Sequence, residues 1–539
     1  MKRFFCLLTV LLLSRTLCSA EYAWPRYTLS GNGEAIVDDV DFAFAGEADD
    51  ACRVFYEIFV GSFSDSDGDG VGDLRGIINR MDYLNDGDPE SGLSLGVEGI
   101  WLTPVFRSPT YHKYDVEDYR SVDPAFGSEA DLTELIGLCH ERNVKVILDL
   151  PVNHTGRQHR WFRNFVNAHR CHDPANPWYD FYTWIPENEK WPAGRHFARV
   201  PGADFLYEAN FDDSMPELNF DNPAVRSAVL DEARYWLERG VDGFRFDAAK
   251  YIYYGDDVKS AEFWQWYTGE LKKTRPGLNT VAEVWDGEGI IERYLPCTNC
   301  FNFSASQAEG LIARTARGGD AGKFTAYVQR YSERVRECNP DGVCVLFVSN
   351  HDMDRAAGYL TAAGGHMKVA ANLYLLSPGS PFIYYGEEIG LRGSRGGART
   401  DANRRLAMLW GDGDTVQDPP GADYTKQTPY PVSSLKGMSD SLYNYYKKLI
   451  MIRKANPEIA CGTYRALTLP GTGLGGFCAE RNGRRVAVIH NTKPAVRRLE
   501  LTNVPELAGV KTVIPVGMGT AYLEGTVLVV EGQTSVVMR

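Results

Sequence analysis

Four short stretches of the sequence place carboxylates among basic and aromatic residues at the ends of apolar runs. They are residues 149–154 (DLPVNH), 243–250 (GFRFDAAK), 282–285 (AEVW) and 348–352 (VSNHD). Two carboxyl groups, one protonated and one ionised, can deliver a proton to a leaving oxygen and hold negative charge near a reacting carbon. Any one of these stretches is a weak signal, whereas four in this order are specific.

The second of these carboxylates in chain order, Asp247, follows a basic residue at a spacing that matters on a strand. Arg245 lies two positions before it, and alternate residues of a strand point to the same face. The fixed positive charge of Arg245 can therefore keep Asp247 ionised. Taken by itself, such a pair could also be a buried structural ion pair.

A separate acidic segment, residues 65–73, has the ligand spacing of a calcium-binding loop. Its oxygen-bearing side chains stand at alternate positions with glycine between them, as in the first nine positions of an EF-hand loop. Gly76 occupies the place of the bidentate Glu of an EF-hand, and a solvated Asp/Gly-rich turn is the alternative. We predict a structural Ca²⁺ bound by the side chains of Asp65, Asp67, Asp69 and Asp73 and the carbonyl of Val71.

The elements that must position these residues alternate between β-rich runs and amphipathic stretches. The predicted strands are residues 54–60, 99–102, 144–149, 243–247, 280–284, 343–348 and 381–385, and the predicted helices are 74–84, 132–142 and 222–239. Alternating strands and helices predict a parallel sheet. Eight such units make a barrel whose loops gather polar residues at one end.

Two segments depart from this alternation. Residues 154–215 contain Trp, Pro and Gly without clear periodicity, which indicates an inserted subdomain. From about residue 457 the chain turns to short alternating runs, and Asn482-Gly483 between two of them is a strong hairpin signal. We therefore expect a separate small β domain at the C-terminus.

Composition excludes some classes of partner. At 539 residues and 44% hydrophobic content, the chain can bury a large core and at least one smaller core. The net charge of −14 is spread along the chain, which argues against a nucleic-acid partner. Among eleven cysteines, Cys297 with Cys300 and Cys338 with Cys344 are expected to form local disulfides rather than a zinc site.

The N-terminus has the pattern of an export signal. Two basic residues precede an apolar run over residues 4–13, and Cys18-Ser19-Ala20 follows. That run is too short to span a bilayer, and no later segment is long and apolar enough. We expect cleavage after Ala20 and a secreted or periplasmic protein, with lipid attachment through Cys18 as the alternative.

The four motifs, in this order and spacing, resemble the hallmark regions of the α-amylase family of glycoside hydrolases (family 13). Residues 215–219 (MPELN) are similar to a further region of that family. The resemblance implies an α/β fold, a (β/α)8 TIM barrel with a B domain inserted after strand 3 and a C-terminal all-β domain. The implied boundaries are a signal peptide at 1–20, barrel parts at 50–153 and 216–455, a B domain at 154–215 and a β-sandwich at 456–539.

The same resemblance implies roles for single residues. Asp247 would be the nucleophile that forms a covalent glycosyl intermediate, Glu283 the general acid and base, and Asp352 the stabiliser of the transition state. Retention of the anomeric configuration would follow. The residues implied in sugar binding are Tyr114, Asp115, His154, Arg245, Lys250 and His351. Some relatives carry a similar calcium loop after the first barrel strand.

The residues around the nucleophile narrow the choice of substrate. Ala248 and Lys250 form a pattern similar to that of true α-amylases. Tyr251, in place of the usual His, departs from them and puts the family's usual second calcium site in doubt, and MPELN is closer to the oligo-1,6-glucosidase and neopullulanase group. The leading hypothesis is a secreted, monomeric, bacterial-type endo-hydrolase of α-1,4-glucans such as starch and maltodextrins. The alternatives are a neopullulanase or cyclomaltodextrinase, an exo-acting α-glucosidase and an inactive glucan-binding protein.

Overall fold

The computed structural model describes residues 27–29, 35–37, 51–89, 91–361, 365–396, 400–425, 427–428 and 430–539. The predicted signal peptide, with Cys6 and Cys18, lies outside these residues. Within the described ranges, no helix has the length and apolar character needed to cross a membrane.

A ring of parallel strands forms the centre of the described chain. Its order is Asn299–Cys300, Asn279–Ala282, Gly243–Phe246, Lys145–Leu150, Gly99–Leu102, Phe55–Ile58 and Phe382–Tyr384. The predicted strand at 343–348 forms only an isolated parallel bridge between Phe301 and Val345. Even so, Asn302 N donates to Val345 O at 3.0 Å and Phe382 N donates to Leu346 O at 2.9 Å. These bonds join the two end strands, and the predicted (β/α)8 barrel is confirmed.

The barrel strands are short apolar runs that are buried on both faces, as parallel strands under helices must be. Their inward side chains fill the barrel. This interior cluster includes Phe55, Trp101, Ile147, Val281, Phe301, Phe347 and Phe382. Because the interior is packed with apolar side chains, the polar residues that follow each strand collect at the C-terminal rim.

The helices that follow the barrel strands begin at recognisable caps. Ser128 and Asp131 form a capping box at the start of Glu129–Glu141, and Asn222 caps a helix that opens with a proline. The described α-helices are Leu74–Asn79, Met81–Leu84, Glu129–Glu141, Arg160–Arg170, Pro223–Leu237, Asp257–Thr274, Glu288–Ile291, Leu311–Ala316, Ala321–Cys338, Ala356–Tyr359, His366–Leu375, Val432–Leu435, Leu442–Ala455 and Pro457–Cys461. The predicted helix at 74–84 is thus split in two.

The inserted segment has more regular structure than its sequence indicates. It contains the helix Arg160–Arg170 and a small antiparallel sheet of Trp184–Pro186, Phe205–Glu208 and Phe197–Arg199. Aromatic packing holds it together, and Trp161 is buried in the main core. Backbone bridges from His154 to Glu217 and from Tyr182 to Leu218 tie the insertion to the chain that re-enters the barrel.

The C-terminal region forms two antiparallel sheets around its own apolar core. The larger sheet contains Thr463–Ala466, Gly475–Arg481, Arg484–Asn491, Thr534–Met538, Thr512–Gly517, Tyr27–Leu29 and Ala35–Val37, and the smaller contains Arg497–Glu500, Val527–Val530 and Ala521–Glu524. The predicted hairpin turn is confirmed, since Asn482 and Gly483 both have positive φ, at 52° and 75°. The sequence did not predict that N-terminal strands would join this sheet.

The expected disulfides are wrong for the described residues. Cys297, Cys300, Cys338 and Cys344 form none. Cys297 Sγ donates to Tyr294 O at 3.1 Å and Cys300 Sγ lies 3.9 Å from Thr298 O, so the two sulfurs turn to separate carbonyls in the core. Cys338 ends a surface helix, whereas Cys344 is buried beside the barrel.

Candidate active site

The C-terminal rim of the barrel opens into a cavity of about 720 Å³. The predicted site residues that line it are Tyr114, His154, Asp247, Lys250, Glu283 and Asp352. Arg245, His351 and Asp115 are buried beside this lining rather than in it. The structure thus brings together residues from the ends of five separate strands, as expected for the C-terminal end of a barrel.

Arg245 is the fully buried centre of the site. Its Nη1 lies 2.5 Å from Asp247 Oδ1 and 2.8 Å from Asp149 Oδ1, and its Nη2 lies 3.0 Å from Glu283 Oε2. The contact with Asp247 is the one that their spacing on the strand predicts. Because one guanidinium touches both Asp247 and Glu283, these two carboxyl groups are held close together.

Glu283 has the environment of a group that is protonated near neutral pH. Burial raises its pKa to about 7, and the nearby carboxylates of Asp247 and Asp352 add to the rise while Arg245 opposes it. Its Oε2 accepts a hydrogen bond from Ala248 N at 2.9 Å. Ala248 has a φ of 47°, and this left-handed conformation of a non-glycine residue aims the N–H at Glu283.

Asp352 has the opposite environment. Burial opposes ionisation, but His351 and Arg405 lower the pKa of Asp352 well below its usual range. His351 Nε2 lies 3.0 Å from Asp352 Oδ2, and Arg405 Nη2 lies 2.8 Å from Asp352 Oδ1. Two carboxyl groups of one cavity are therefore driven apart in pKa, the pattern of an acid paired with a permanent anion.

The segment around Tyr114 supports this centre from below. Tyr114 OH donates to Asp149 Oδ2 at 2.8 Å and contacts His351 Nε2 at 2.7 Å. Asp115 accepts from Ser108 Oγ at 2.7 Å and from Thr110, so its carboxylate braces the loop and does not reach the cavity. His154 does line the cavity, although its Nε2 is buried against the protein.

Aromatic rings line the part of the cavity beyond Glu283 and Lys250. Trp285 is 39% exposed and stacks on the buried Phe303 with centroids 5.0 Å apart. Phe211 is 46% exposed and meets Tyr251 edge-on at 4.9 Å. Flat apolar rings with polar neighbours suit the faces and rim of a sugar.

Sequence reasoning assigned no role to several residues of this cavity or its support. They are Glu57, Asp149, Phe211, Trp285, Asp286 and Arg405. Asp149 and Trp285 stood inside the quoted motifs, so their position could have marked them. Glu57, Phe211 and Arg405 carry no local signal.

Comparison with known proteins places this geometry in a family. Residues 57–462 match the family model described as "Alpha amylase, catalytic domain". The chain belongs to the α-amylase family. It is therefore a glycoside hydrolase.

Several α-amylase family members resemble this one over most of their length. "Alpha-amylase 3" of Dictyoglomus thermophilum is 35% identical over 449 residues, which cover 81% of this chain and 84% of that protein. "Oligo-1,6-glucosidase" of Parageobacillus thermoglucosidasius is 29% identical over 492 residues, covering 76% of this chain and 84% of the glucosidase. The solved structure of Eubacterium rectale Amy13B superposes with a TM-score of 0.83 at 31% identity, covering 91% of this chain and 96% of the other.

The acidic loop of this α-amylase family member fits a cation only in part as predicted. Asp65, Asp67 and Asp73 bring ligand atoms within 4.8 Å of one another, whereas Asp69 lies outside this group. Asp69 Oδ1 instead accepts from Val71 N at 2.7 Å. Three converging carboxylates are hard oxygen ligands suited to Ca²⁺.

Backbone crowding explains why this loop lacks the last EF-hand ligand. A Cβ atom at Gly76 would lie 2.0 Å from Ser64 O, and Gly76 N donates to Asp73 Oδ1 at 2.6 Å. The position that would carry a Glu in an EF-hand is thus the first turn of the helix Leu74–Asn79, packed against the chain. No larger residue fits there.

Proposed function

We propose that this enzyme is a secreted, retaining endo-hydrolase of α-1,4-glucosidic bonds in starch and maltodextrins. The observation that carries the proposal is the shared contact of Arg245 with Asp247 and Glu283. It holds the carboxyl group of Asp247 beside that of Glu283, whose pKa is about 7. A retaining mechanism needs such a pair about 5 to 5.5 Å apart.

In the proposed reaction, an oxygen of Asp247 attacks the anomeric carbon while Glu283 gives its proton to the glycosidic oxygen. The bond to the leaving sugar breaks, and a covalent glycosyl ester with Asp247 remains. The Glu283 carboxylate then takes a proton from water, whose oxygen attacks the same carbon and releases Asp247. Glu283 ends protonated again, so the enzyme is regenerated with net retention.

The remaining lining residues would hold the sugar that is being cleaved. Asp352 adds negative charge beside the oxocarbenium-like transition state, and its two cationic neighbours keep it ionised. His154 also lines the cavity, so its ring would lie beside this sugar. The Tyr114 ring lies at the floor of the cavity and offers a flat surface for the sugar.

Internal cleavage is supported by the rings beyond the acid. Phe211 and Trp285 come from two different loops, and both expose a large part of their ring at the cavity. Lys250 also lines this region, where Asp286 holds its ammonium at 2.7 Å. These groups would bind glucose units on the leaving side, which an enzyme needs in order to cut within a long chain.

A second candidate is a neopullulanase-like enzyme or an exo-acting oligo-1,6-glucosidase. The 29% identity with "Oligo-1,6-glucosidase" and the Met215-Pro-Glu-Leu-Asn motif favour it. Met215 itself lines the cavity, so this motif can influence which linkage is accepted.

Three further properties belong to the proposal. Export with cleavage after Ala20 is supported by the N-terminal sequence pattern. Structural Ca²⁺ would be held by Asp65, Asp67 and Asp73, and the Val71 carbonyl remains a further ligand predicted from the sequence. The enzyme is expected to act as a monomer.

The test uses the purified protein with maltoheptaoside blocked at its nonreducing end, soluble starch and pullulan. Early internal products from the blocked substrate and starch, with pullulan little changed, are expected. Panose from pullulan would move the enzyme to the neopullulanase group, and cleavage only of unblocked substrate would make it an exo-glucosidase.

Asp247→Asn is the matched control for this test. It keeps the shape of the side chain and removes the nucleophile, so turnover should fall by at least about 10⁴-fold while oligosaccharide still binds. If this variant kept substantial turnover, the assignment of Asp247 would be wrong.

A further inference from the structure

Glu57 is a buried carboxylate that the proposed reaction does not use. It lies on the strand Phe55–Ile58, paired with its neighbours Gly99–Leu102 and Phe382–Tyr384, and it is 1% exposed. It does not line the cavity. Its Oε1 lies 2.6 Å from Nδ1 of His351, 294 positions away in the sequence.

The partners of His351 determine where its protons must be. On one side, Nδ1 faces the Glu57 carboxylate, which can only accept when it is ionised. On the other side, Nε2 faces Asp352 Oδ2 at 3.0 Å and Tyr114 OH at 2.7 Å. The single proton of Tyr114 OH is donated to Asp149, so that oxygen also accepts from His351.

We propose that Glu57 is a positioning residue that holds His351 as a doubly protonated imidazolium and thereby keeps Asp352 ionised and correctly oriented in the cavity. The inference rests on the proposed role of Asp352. It gives the barrel a relay of alternating charge, Glu57 to His351 to Asp352, that runs from the core to the substrate.

One competing arrangement has the same number of protons. In it the shared proton sits on Glu57, and His351 is neutral with only Nε2 protonated. Burial raises the pKa of Glu57 and so favours this state, while His351 opposes it. The two arrangements differ only in the position of one proton along the 2.6 Å contact.

The charges around the imidazole favour the imidazolium. Burial opposes its charge, but Asp352 and Glu57 together raise the pKa of His351 to about 10. The positive charge of Arg405 disfavours a second cation nearby. Its contacts, however, are with the His351 carbonyl, to which its Nε donates, and with the Asp352 carboxylate. Other titratable groups near this relay include Asp149, Arg245, Tyr114 and Tyr384.

The first measurement is nitrogen NMR of the whole enzyme labelled with ¹⁵N-histidine. The chain has ten His residues, and the His351 signals are assigned by their loss in His351→Asn. Two protonated ring nitrogens at pH 8 are expected in the wild type. A single protonated nitrogen at pH 8 would overturn the proposal, even if glucan cleavage is normal.

The second measurement is the pH profile of Glu57→Gln. The amide keeps a hydrogen-bond acceptor but removes the charge, so the pKa of His351 should fall by about 1 to 3 units. At pH 8, kcat should fall by up to roughly 10-fold relative to the wild type at the same pH, and the loss should be recovered near pH 5.5, where His351 regains its proton. A loss of equal size at every pH would show a merely structural role.

Glu388→Gln is the matched control. Glu388 is also a fully buried carboxylate, but it is hydrogen-bonded to Tyr56 and Tyr83 and does not contact His351. Its substitution should leave the His351 signals and the shape of the pH profile unchanged. Should Glu57→Gln not fold, the wild-type spectrum still decides the question. An enzyme with the imidazolium but without hydrolysis would refute the proposed function and leave this inference standing.

Discussion

Raising the pH through 7 should remove the proton that Glu283 is proposed to deliver to the leaving oxygen. The carboxyl group is buried, and its pKa is about 7 rather than the ordinary 4.5. The difference corresponds to about 3 kcal/mol of preference for the neutral acid. At pH 7 about half of the enzyme then carries the acid, compared with roughly 0.3% for an unperturbed Glu.

The assay is kcat/KM for maltoheptaose between pH 5 and 10, because this constant reports the ionisation of the free enzyme. We expect an alkaline limb with a midpoint near 7 and a tenfold loss for each further pH unit. The matched substrate is maltosyl fluoride, whose leaving group needs no proton. Its kcat/KM should stay nearly constant through the same range.

Glu283→Gln is the corresponding variant. Removal of the acid should lower kcat/KM for maltoheptaose by about 10²- to 10⁴-fold, and its alkaline limb should disappear. The loss with maltosyl fluoride should be less than about tenfold, since protonation contributes little to that step. An alkaline limb of equal size with both substrates would refute the assignment of Glu283 as the acid.

Three other changes test the rest of the site. Arg245→Met leaves the carboxyl groups of Asp149, Asp247 and Glu283 without their shared cation. It should abolish turnover and lower the free energy of unfolding, measured by urea titration, by about 3 to 5 kcal/mol. Unchanged stability would contradict the buried network. Trp285→Ala should lower kcat/KM for maltoheptaose by roughly 5- to 20-fold, about 1 to 2 kcal/mol, because an exposed stacking surface is lost. Trp191 is similarly exposed but lies outside the cavity, so Trp191→Ala should change kcat/KM little. Chelation of Ca²⁺ should lower Tm by several degrees in the wild type and by much less in Asp65→Asn, which lacks one of the converging carboxylates; equal behaviour of the two proteins in calorimetry would argue against the site.

The catalytic geometry and the pKa pattern depend on each other in this fold. Arg245 is placed by its strand, and its guanidinium can reach carboxylates from three neighbouring strands because the barrel brings their ends within a few ångströms. Loss of that registry would change the ionisation of Glu283 even if every residue were still present. Stability and catalysis therefore share the same buried contacts.

The sequence alone determined the barrel, the family and the residues of the four motifs. These features are local, since a strand, its pattern of apolar residues and the polar residue at its end all lie within about ten positions of the sequence. The contact of Arg245 with Asp247 and the hairpin at Asn482-Gly483 belong to this class. The acidic loop at residues 65–73 was only partly of this kind, because the turn that directs Asp69 away from its neighbours depends on backbone geometry.

Only the tertiary structure decided the contacts between residues far apart in the chain. Glu57 meets His351 across 294 positions, and Arg405 reaches Asp352 across 53. The barrel strand Asn299–Cys300 is two residues long, which is too short for a detectable periodicity. Residues 345–346 close the ring by accepting backbone hydrogen bonds from the two end segments of the sheet. Such features come from barrel closure, which brings together strand ends whose separation in sequence carries no pattern.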